Sequence, residues 1–389
     1  MKVPQIFDRN MKRLAFLDNA VSVGYSLEIN SLWTATFTLP ADDDKNAYCQ
    51  PLNFVEIFDG DERIDLFRII GEDLERSNGA TRFYDCEHVL ATLLSDVLFQ
   101  YHQYGGGGIK TADVLNYVLA RQTTRNWVLG DCDFKRYFEY NWENSTLLAA
   151  LFAVPECFDS EYMWTWDTTV YPWTISLVAP SDTMKSEVRY AKNMTSMKKT
   201  VDASGIANRI YALGYGEGVN QLTIAGVNGG KPYVEDAMSI QQYGLCSTIL
   251  VDSRYDVAEN LKGYAEQMLA ELKNPYVSYE IGAIDLHRLT GDTFSKFRPG
   301  EIVRVVDEAD GINLRTRIVS VEKSDAQGDP GSVTVTIANK SKDIAGSISE
   351  LQNRAHQRNV CAGRDESADL QFHGQRRRNA SGDAETVYF

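Results

Sequence analysis

Val23, Tyr25, Leu27 and Ile29 alternate with polar or small residues, and after an Asn30-Ser31 turn Trp33, Ala35, Phe37 and Leu39 do the same as far as Pro40. A period of two on both arms predicts a half-buried β-hairpin. Further strands are predicted at 54–58 and 64–70, joined across Asp59-Gly60, a dipeptide that readily takes positive φ, and another at 82–86. The spacing then turns helical: Val89, Leu90, Leu93, Leu94, Val97 and Leu98 share one face of 87–98. Gly105 to Gly108 breaks the chain, Thr111 stands where it would cap a helix over 112–121, and a third short helix over 145–154 stops at Pro155. An aromatic-rich β segment occupies 161–177.

The β pattern returns at Ile206. Strands are predicted at 208–215 and 221–225, with a turn at Asn228-Gly229-Gly230, and again at 279–286, 302–306, 315–322 and 332–338. Between them, Val257, Leu261, Tyr264, Ala265, Met268, Leu269 and Leu272 line one side of a helix over 257–272, and Pro275 marks its end. One more helix is predicted over 344–358. The polar stretch beyond it, through Arg376-Arg377-Arg378, has no core and reads as a mobile tail or a segment that orders on a partner.

Two segments echo each other. The nine residues Pro51 to Asp59 line up with Pro299 to Asp307: Pro, Val and Asp match, and the apolar positions agree. Downstream, Arg68-Ile69 and Glu72 correspond to Arg317-Ile318 and Glu322 with a one-residue insertion. Any two hairpins look alike at this level; the sharper reading is two β-barrels of one type in one chain. The predicted fold is mainly β: two related antiparallel β-barrels with an α+β insertion. The first barrel takes 1–87, the insertion 88–200, and the second barrel 201–235 and 276–340 around a helix-containing insertion at 236–275; 341–389 supplies a C-terminal helix and tail. Three such chains about an axis would set six similar barrels in a ring.

Composition narrows the function classes. The chain has 389 residues, 43% hydrophobic and 24% charged, enough for a substantial core. Its net charge of −15 opposes the phosphate backbone, so nucleic acid is expected to pass it without specific binding. No 18 apolar residues run together and no secretory signal opens the chain, so folding in the cytoplasm without stable membrane insertion is expected. Cys49, Cys86, Cys132, Cys157, Cys246 and Cys361 include no C-x-x-C pair and are expected as reduced, mostly buried thiols.

Several stretches, in order and spacing, carry a family resemblance. Phe7-Asp8-Arg9-Asn10 precedes the first strands, Thr38-Leu39-Pro40 closes the first hairpin, and Tyr84-Asp85-Cys86-Glu87-His88 enters the insertion. Ile206 to Tyr211 with Leu213-Gly214, Gly230 to Asp236, and Phe297 to Glu301 follow. Over residues 6–345 the chain resembles the prophage endopeptidase tail family, the N-terminal hub region of phage tail-associated lysins and minor structural proteins, and is similar in layout to the central hub of contractile-tail baseplates. The resemblance implies a homotrimeric hub in the virion's tail tip that adapts a hexameric tail tube to a threefold tip and closes or lines the DNA channel. Its implied partners are the distal tail protein, the tape measure protein and the tail tube, with a receptor-binding or fibre protein on the C-terminal tail. The hydrolase region of longer relatives has no counterpart after the second barrel, so no enzyme activity is expected. The alternatives are a cell-wall-degrading endopeptidase or hydrolase and a host-carbohydrate-binding tail protein.

The residues offer little catalytic chemistry. Cys86-Glu87-His88 sets a thiol beside an imidazole, but a nucleophile needs a base brought into reach and oriented by a third group. His102, His287, His356 and His373 show no zinc spacing, and neither H-E-x-x-H nor G-x-S-x-G occurs. Gly105 to Thr111 approximates a phosphate loop, yet Ile109 stands where Gly must precede Lys110; the loop reads as a hinge between barrel and insertion. Asp42-Asp43-Asp44 lacks the spaced ligands of a calcium loop. No catalytic, cofactor or metal residue is therefore assigned. Trp164, Trp166 and Trp173 remain as candidates to contact a glycan or protein partner, against the plainer reading of a buried strand.

Overall fold

The computed structural model describes residues 2–76, 79–158, 160–291 and 296–338. Strands β1 (Gln5–Phe7) and β2 (Arg13–Phe16) form a small hairpin, followed by the predicted hairpin of β3 (Ser22–Glu28) and β4 (Thr34–Pro40). Asn30, with φ of +52°, makes the turn between β3 and β4. β5 (Phe54–Asp59) and β6 (Glu62–Glu75) are joined through Gly60, also left-handed, and β7 (Thr81–His88) lies between β6 and β4. Their inward positions, among them Val23, Leu27, Phe37, Ile57, Phe67 and Tyr84, make one core.

The helix expected over 87–98 does not form. Glu87 and His88 finish β7, a short 3-10 helix takes Val89–Leu94, and β8 (Val97–Gly105) follows. The run from Val89 to Leu93 is buried on almost every side, and such a run suits any tightly packed segment, so its spacing did not discriminate. Helix α1 (Thr111–Leu119), β9 (Trp127–Cys132), β10 (Glu139–Thr146), α2 (Leu147–Phe152), β11 (Met163–Asp167) and β12 (Trp173–Val178) complete this region. β8 pairs with β10, and β12 lies between β11 and β9. All four glycines of Gly105 to Gly108 are left-handed, but the loop joins β8 to α1 inside this region and is not a hinge at its boundary.

β13 (Met184–Arg189) and β14 (Met194–Asp202) lie in the large sheet although their sequence fell in the expected insertion. β15 (Arg209–Leu213), β16 (Tyr233–Glu235) and β17 (Ser247–Val251) form a separate sheet in the order β16-β15-β17, with α3 (Ala237–Tyr243) and α4 (Ala258–Leu272) beside them. Leu261, Ala265 and Leu269 of α4 pack on Ile210 and Ala212 of β15, so 203–275 has its own core, and 201–213 does not enter the large sheet beyond Asp202. In place of the strand expected over 221–225 there is one bridge, Leu213 to Thr223, and a 3-10 turn at Ala225–Val227. β18 (Tyr276–Ile284), β19 (Ile302–Asp307), β20 (Ile312–Lys323) and β21 (Ser332–Ala338) return to the large sheet and enclose a second core around Ile281, Val303, Val305, Val335 and Ile337. The helix expected over 344–358 and the tail lie outside the described residues.

The large sheet has 13 strands, ordered β14-β18-β21-β20-β3-β4-β7-β6-β5-β1-β2, with β19 beside β20 and β13 beside β19. Two antiparallel runs within it match strand for strand: β5-β6-β7-β4-β3 and β19-β20-β21-β18-β14. The echo in the sequence extends to single hydrogen bonds. Leu52 N–H donates to Ile69 O at 2.8 Å, and Gly300 N–H to Ile318 O at 2.8 Å. Both donors are left-handed, Leu52 with φ of +65° and Gly300 with +85°. A bulge interrupts both ladders at the same place, between Ile69 and Gly71 and between Ile318 and Ser320. From Ile69 and Ile318 onward the copies therefore run without insertion, and Asp73, not Glu72, occupies the place of Glu322; the one extra residue of the second copy lies earlier, between Asp307 and Ile318.

Neither run closes into a hydrogen-bonded barrel among the described residues, contrary to the expectation of two barrels. The edge of β3 that closure would need is taken by β20 of the other run, through Glu28 opposite Ser320, Leu27 opposite Val321, Ser26 opposite Glu322 and Tyr25 opposite Lys323. One continuous sheet results.

Candidate functional site

The junction between the runs holds the least exposed lysine, arginine or carboxylate side chain among the described residues. Lys323, 2% exposed, donates to Asp59 at 2.7 Å, to Asp285 at 3.1 Å and to Pro330 O at 3.0 Å. The Tyr25 hydroxyl donates to Asp59 at 2.9 Å. Tyr25 and Asp59 come from the first run; Lys323 and Asp285 come from the second, so the ion cluster ties the two copies together. Burial, with Asp59 beside it, raises the Tyr25 phenol far above its ordinary range, so it remains a donor.

A cavity of about 380 Å³ opens beside this cluster, walled by Trp33 and Asp65 of the first run, Trp164 and Trp166 of β11, and Lys296 and Phe297. Asn30 fastens β11 across it, accepting the Trp164 N–H at 2.8 Å and donating to Tyr162 O at 3.3 Å. Each carboxylate along the β5–β6 wall has a cationic partner. Asp59 has Lys323; Glu62 has Lys296, and Arg298 at 3.1 Å; Asp65 accepts from Arg63 and Thr168. Burial alone would raise the Glu62 carboxyl, but Lys296 and Arg298 outweigh it and hold it below its usual value. Carboxylates committed in this way cement surfaces and are poorly placed to exchange protons with a substrate.

Cys86 and His88 come together with no reactive geometry. Both face the interior from β7, and burial pushes the Cys86 thiol well above its usual range, away from the thiolate. The His88 ring is wholly buried among Trp33, Trp166 and Phe67. Its Nδ1 accepts the Leu90 N–H at 3.2 Å, which leaves the proton on Nε2, 3.4 Å from Asp65. Burial tends to raise the Asp65 carboxyl, but His88, Thr168 and Arg63 together hold it below the usual range.

Of the tryptophans singled out in the sequence, Trp164 and Trp173 are buried and Trp166 is half-buried at the cavity. Trp173 is buried against Trp127 and Phe54, with ring centroids 5.4 and 5.7 Å away, and Trp164 is buried against Phe152 at 5.5 Å. Trp166 packs on Trp33 at 4.7 Å and faces the cavity. Trp166 packs against Trp33 and His88 of the first run, and Trp164 against Phe152 of α2. The sequence reading missed Lys323, Asp59 and Asp285; a lysine at an inward-facing strand position was the one available signal.

Among the described residues no cluster of His, Cys, Asp or Glu could hold a metal ion, and no helix is long and apolar enough to cross a membrane.

The chain's sequence matches the prophage endopeptidase tail model over residues 181–348 and a prophage endopeptidase tail domain over 106–172. No curated protein matches it. Its fold is similar to that of the tail protein from Neisseria meningitidis, with a TM-score of 0.62 at 10% identity, covering 88% of this chain and 97% of that one. It is similar also to prophage tail protein gp18 from Listeria monocytogenes, with a TM-score of 0.59 at 14% identity over 90% of this chain and 99% of that one. The 43 kDa tail protein of prophage MuSo2 from Shewanella oneidensis gives a TM-score of 0.59 at 13% identity, over 87% and 98%.

Proposed function

The chain belongs to the prophage endopeptidase tail family, and from that premise we propose that it is the structural hub of a phage or prophage tail tip. One observation carries the reading: the same five-strand run occurs twice in one chain, down to the same bulge and the same left-handed donor. Three chains about an axis then present six near-equivalent runs, which is what joining a sixfold tube to a threefold tip requires. In this reading each run, with its core, is a tail-tube-like domain, and 89–183 and 203–275 are insertions carried outside the ring. The distal tail protein and tail tube meet one face of the ring, and the tape measure protein enters its lumen. The net charge of −15 suits a channel that lets DNA pass without holding it.

Cell-wall hydrolysis, which the family's description suggests, draws no support from a cavity whose β5–β6 carboxylates, Asp59, Glu62 and Asp65, are each engaged by a cation. Glycan stacking draws none from the buried rings of Trp164 and Trp173, and Trp166 is packed edge-on against Trp33. The test is native mass measurement with negative-stain class averages of the purified chain, alone and with its distal tail protein. Threefold rings with six lobes are expected. A protein that stays monomeric in both settings would defeat the reading.

A further inference from the structure

We infer that the β20–β3 junction inside the chain is repeated between chains, with the outer edge of β14 in one copy pairing antiparallel with residues 71–74 of β6 in the next. The inference rests on the ring reading above and adds the surface and register by which the ring closes.

Rows across the sheet identify the equivalent positions. Tyr25, Ala35, Cys86 and Ile69 stand opposite one another in the first run, as Lys199, Tyr279, Ile337 and Ile318 do in the second. β3 of the first run thus corresponds to β14, and β20 of the second to β6. Within one chain β3 pairs with β20, while β14 ends the sheet and no strand lies on its other side among the described residues. β6 pairs with β5 only as far as Arg68, so among the described residues the edge of 71–75 facing away from β7 has no strand partner either. A chain with one occupied junction and two complementary open halves of the same junction closes by head-to-tail repetition.

Transferring the register sets Gly71 opposite Asp202, Glu72 opposite Val201, Asp73 opposite Thr200 and Leu74 opposite Lys199 of the neighbouring copy. Burial agrees with this assignment. Leu27 and Val319 are each 8% exposed at the occupied junction; their counterparts Val201 and Ile70 are 56% and 51% exposed. Charge agrees as well: Glu75 stands opposite Lys198, with Asp73 diagonal to Lys198 and Glu72 diagonal to Lys199, while within the chain Glu72 meets Arg82 and Lys198 meets Glu280. Lysines also serve to blunt a lone edge strand, but such an edge does not ordinarily carry exposed Val201, Ile70 and Leu74 beside them.

The experiment combines Glu72→Cys with Val201→Cys in the full chain, oxidises it at high protein concentration, and reads covalent species on a non-reducing gel beside native mass. Opposed residues in an antiparallel pair lie within disulfide reach. A covalent trimer, absent from either single-cysteine variant, is the expected result. A native trimer without the crosslink would overturn the proposed edge and leave the ring reading standing; a monomer at every concentration would overturn both. Lys198→Glu should raise the concentration for half-assembly about tenfold, and Glu75→Lys, at the position opposite it, should restore assembly when added. An unchanged midpoint for a folded Lys198→Glu would also count against the edge.

Discussion

Replacing Lys323 with methionine keeps much of the side chain's volume and removes its charge from between Asp59 and Asp285. The lysine is 2% exposed and its two carboxylates 8% and 14%, so water cannot take its place readily. Breaking a buried ion pair on one side leaves an uncompensated charge and typically costs about 3–5 kcal/mol. Here two carboxylates are left together, so the upper part of that range is expected. Equilibrium urea unfolding, followed by tryptophan fluorescence, should show the midpoint falling by about 1 M or more. Adding Asp59→Asn and Asp285→Asn should recover most of the loss, because neutral amides can hydrogen-bond with Tyr25 and Pro330 without repelling each other. A loss below about 1 kcal/mol for Lys323→Met, the scale of a solvated surface pair, would refute the view that this cluster cements the two runs.

Gly300→Ala should destabilise the chain by more than about 1 kcal/mol, since φ is +85° there and a Cβ would lie 2.3 Å from Met163 Sδ; Met163→Ala should relieve the steric part in thermal melts. Asp65 is held below the usual carboxylate value in the folded chain, so its contribution is complete above about pH 4 and fades as pH falls through the lowered folded value. Asp65→Asn should accordingly be less stable than the parent at neutral pH, with the gap narrowing below about pH 4 in a pH series of urea melts. Burial pushes the Cys49 and Cys157 thiols up to about 12 and about 11 and holds Cys86 well above its ordinary value, so mass spectrometry after alkylation at neutral pH should find all three unmodified until denaturant is added.

The mainly β character, the β3–β4 hairpin and the turn at Gly60 were legible because alternation and turn chemistry are local. The duplication was legible too, since Pro51 to Asp59 and Pro299 to Asp307 each carry a left-handed donor and then a strand with the same inward positions, and so keep the same pattern. Pattern failed where it had no single meaning. Val89 to Leu98 fits a helix face, yet it becomes a 3-10 turn and the start of a strand, because nearly every residue from Val89 to Leu93 is buried and periodicity then carries no direction. β14 has little alternation because most of its residues are exposed in the single chain, and an open edge has no buried face to mark it.

What each segment would become was thus largely set by the sequence, through the spacing of its apolar residues. Which edge each strand would meet was decided only by the tertiary structure. Strand pairing is made by backbone groups that every residue shares, so the contact of Tyr25 with Lys323, 298 positions apart, leaves no local trace. The same holds for Asp59, which reads in sequence as a hairpin turn residue and in the fold becomes the counter-charge that joins one copy of the repeat to the other.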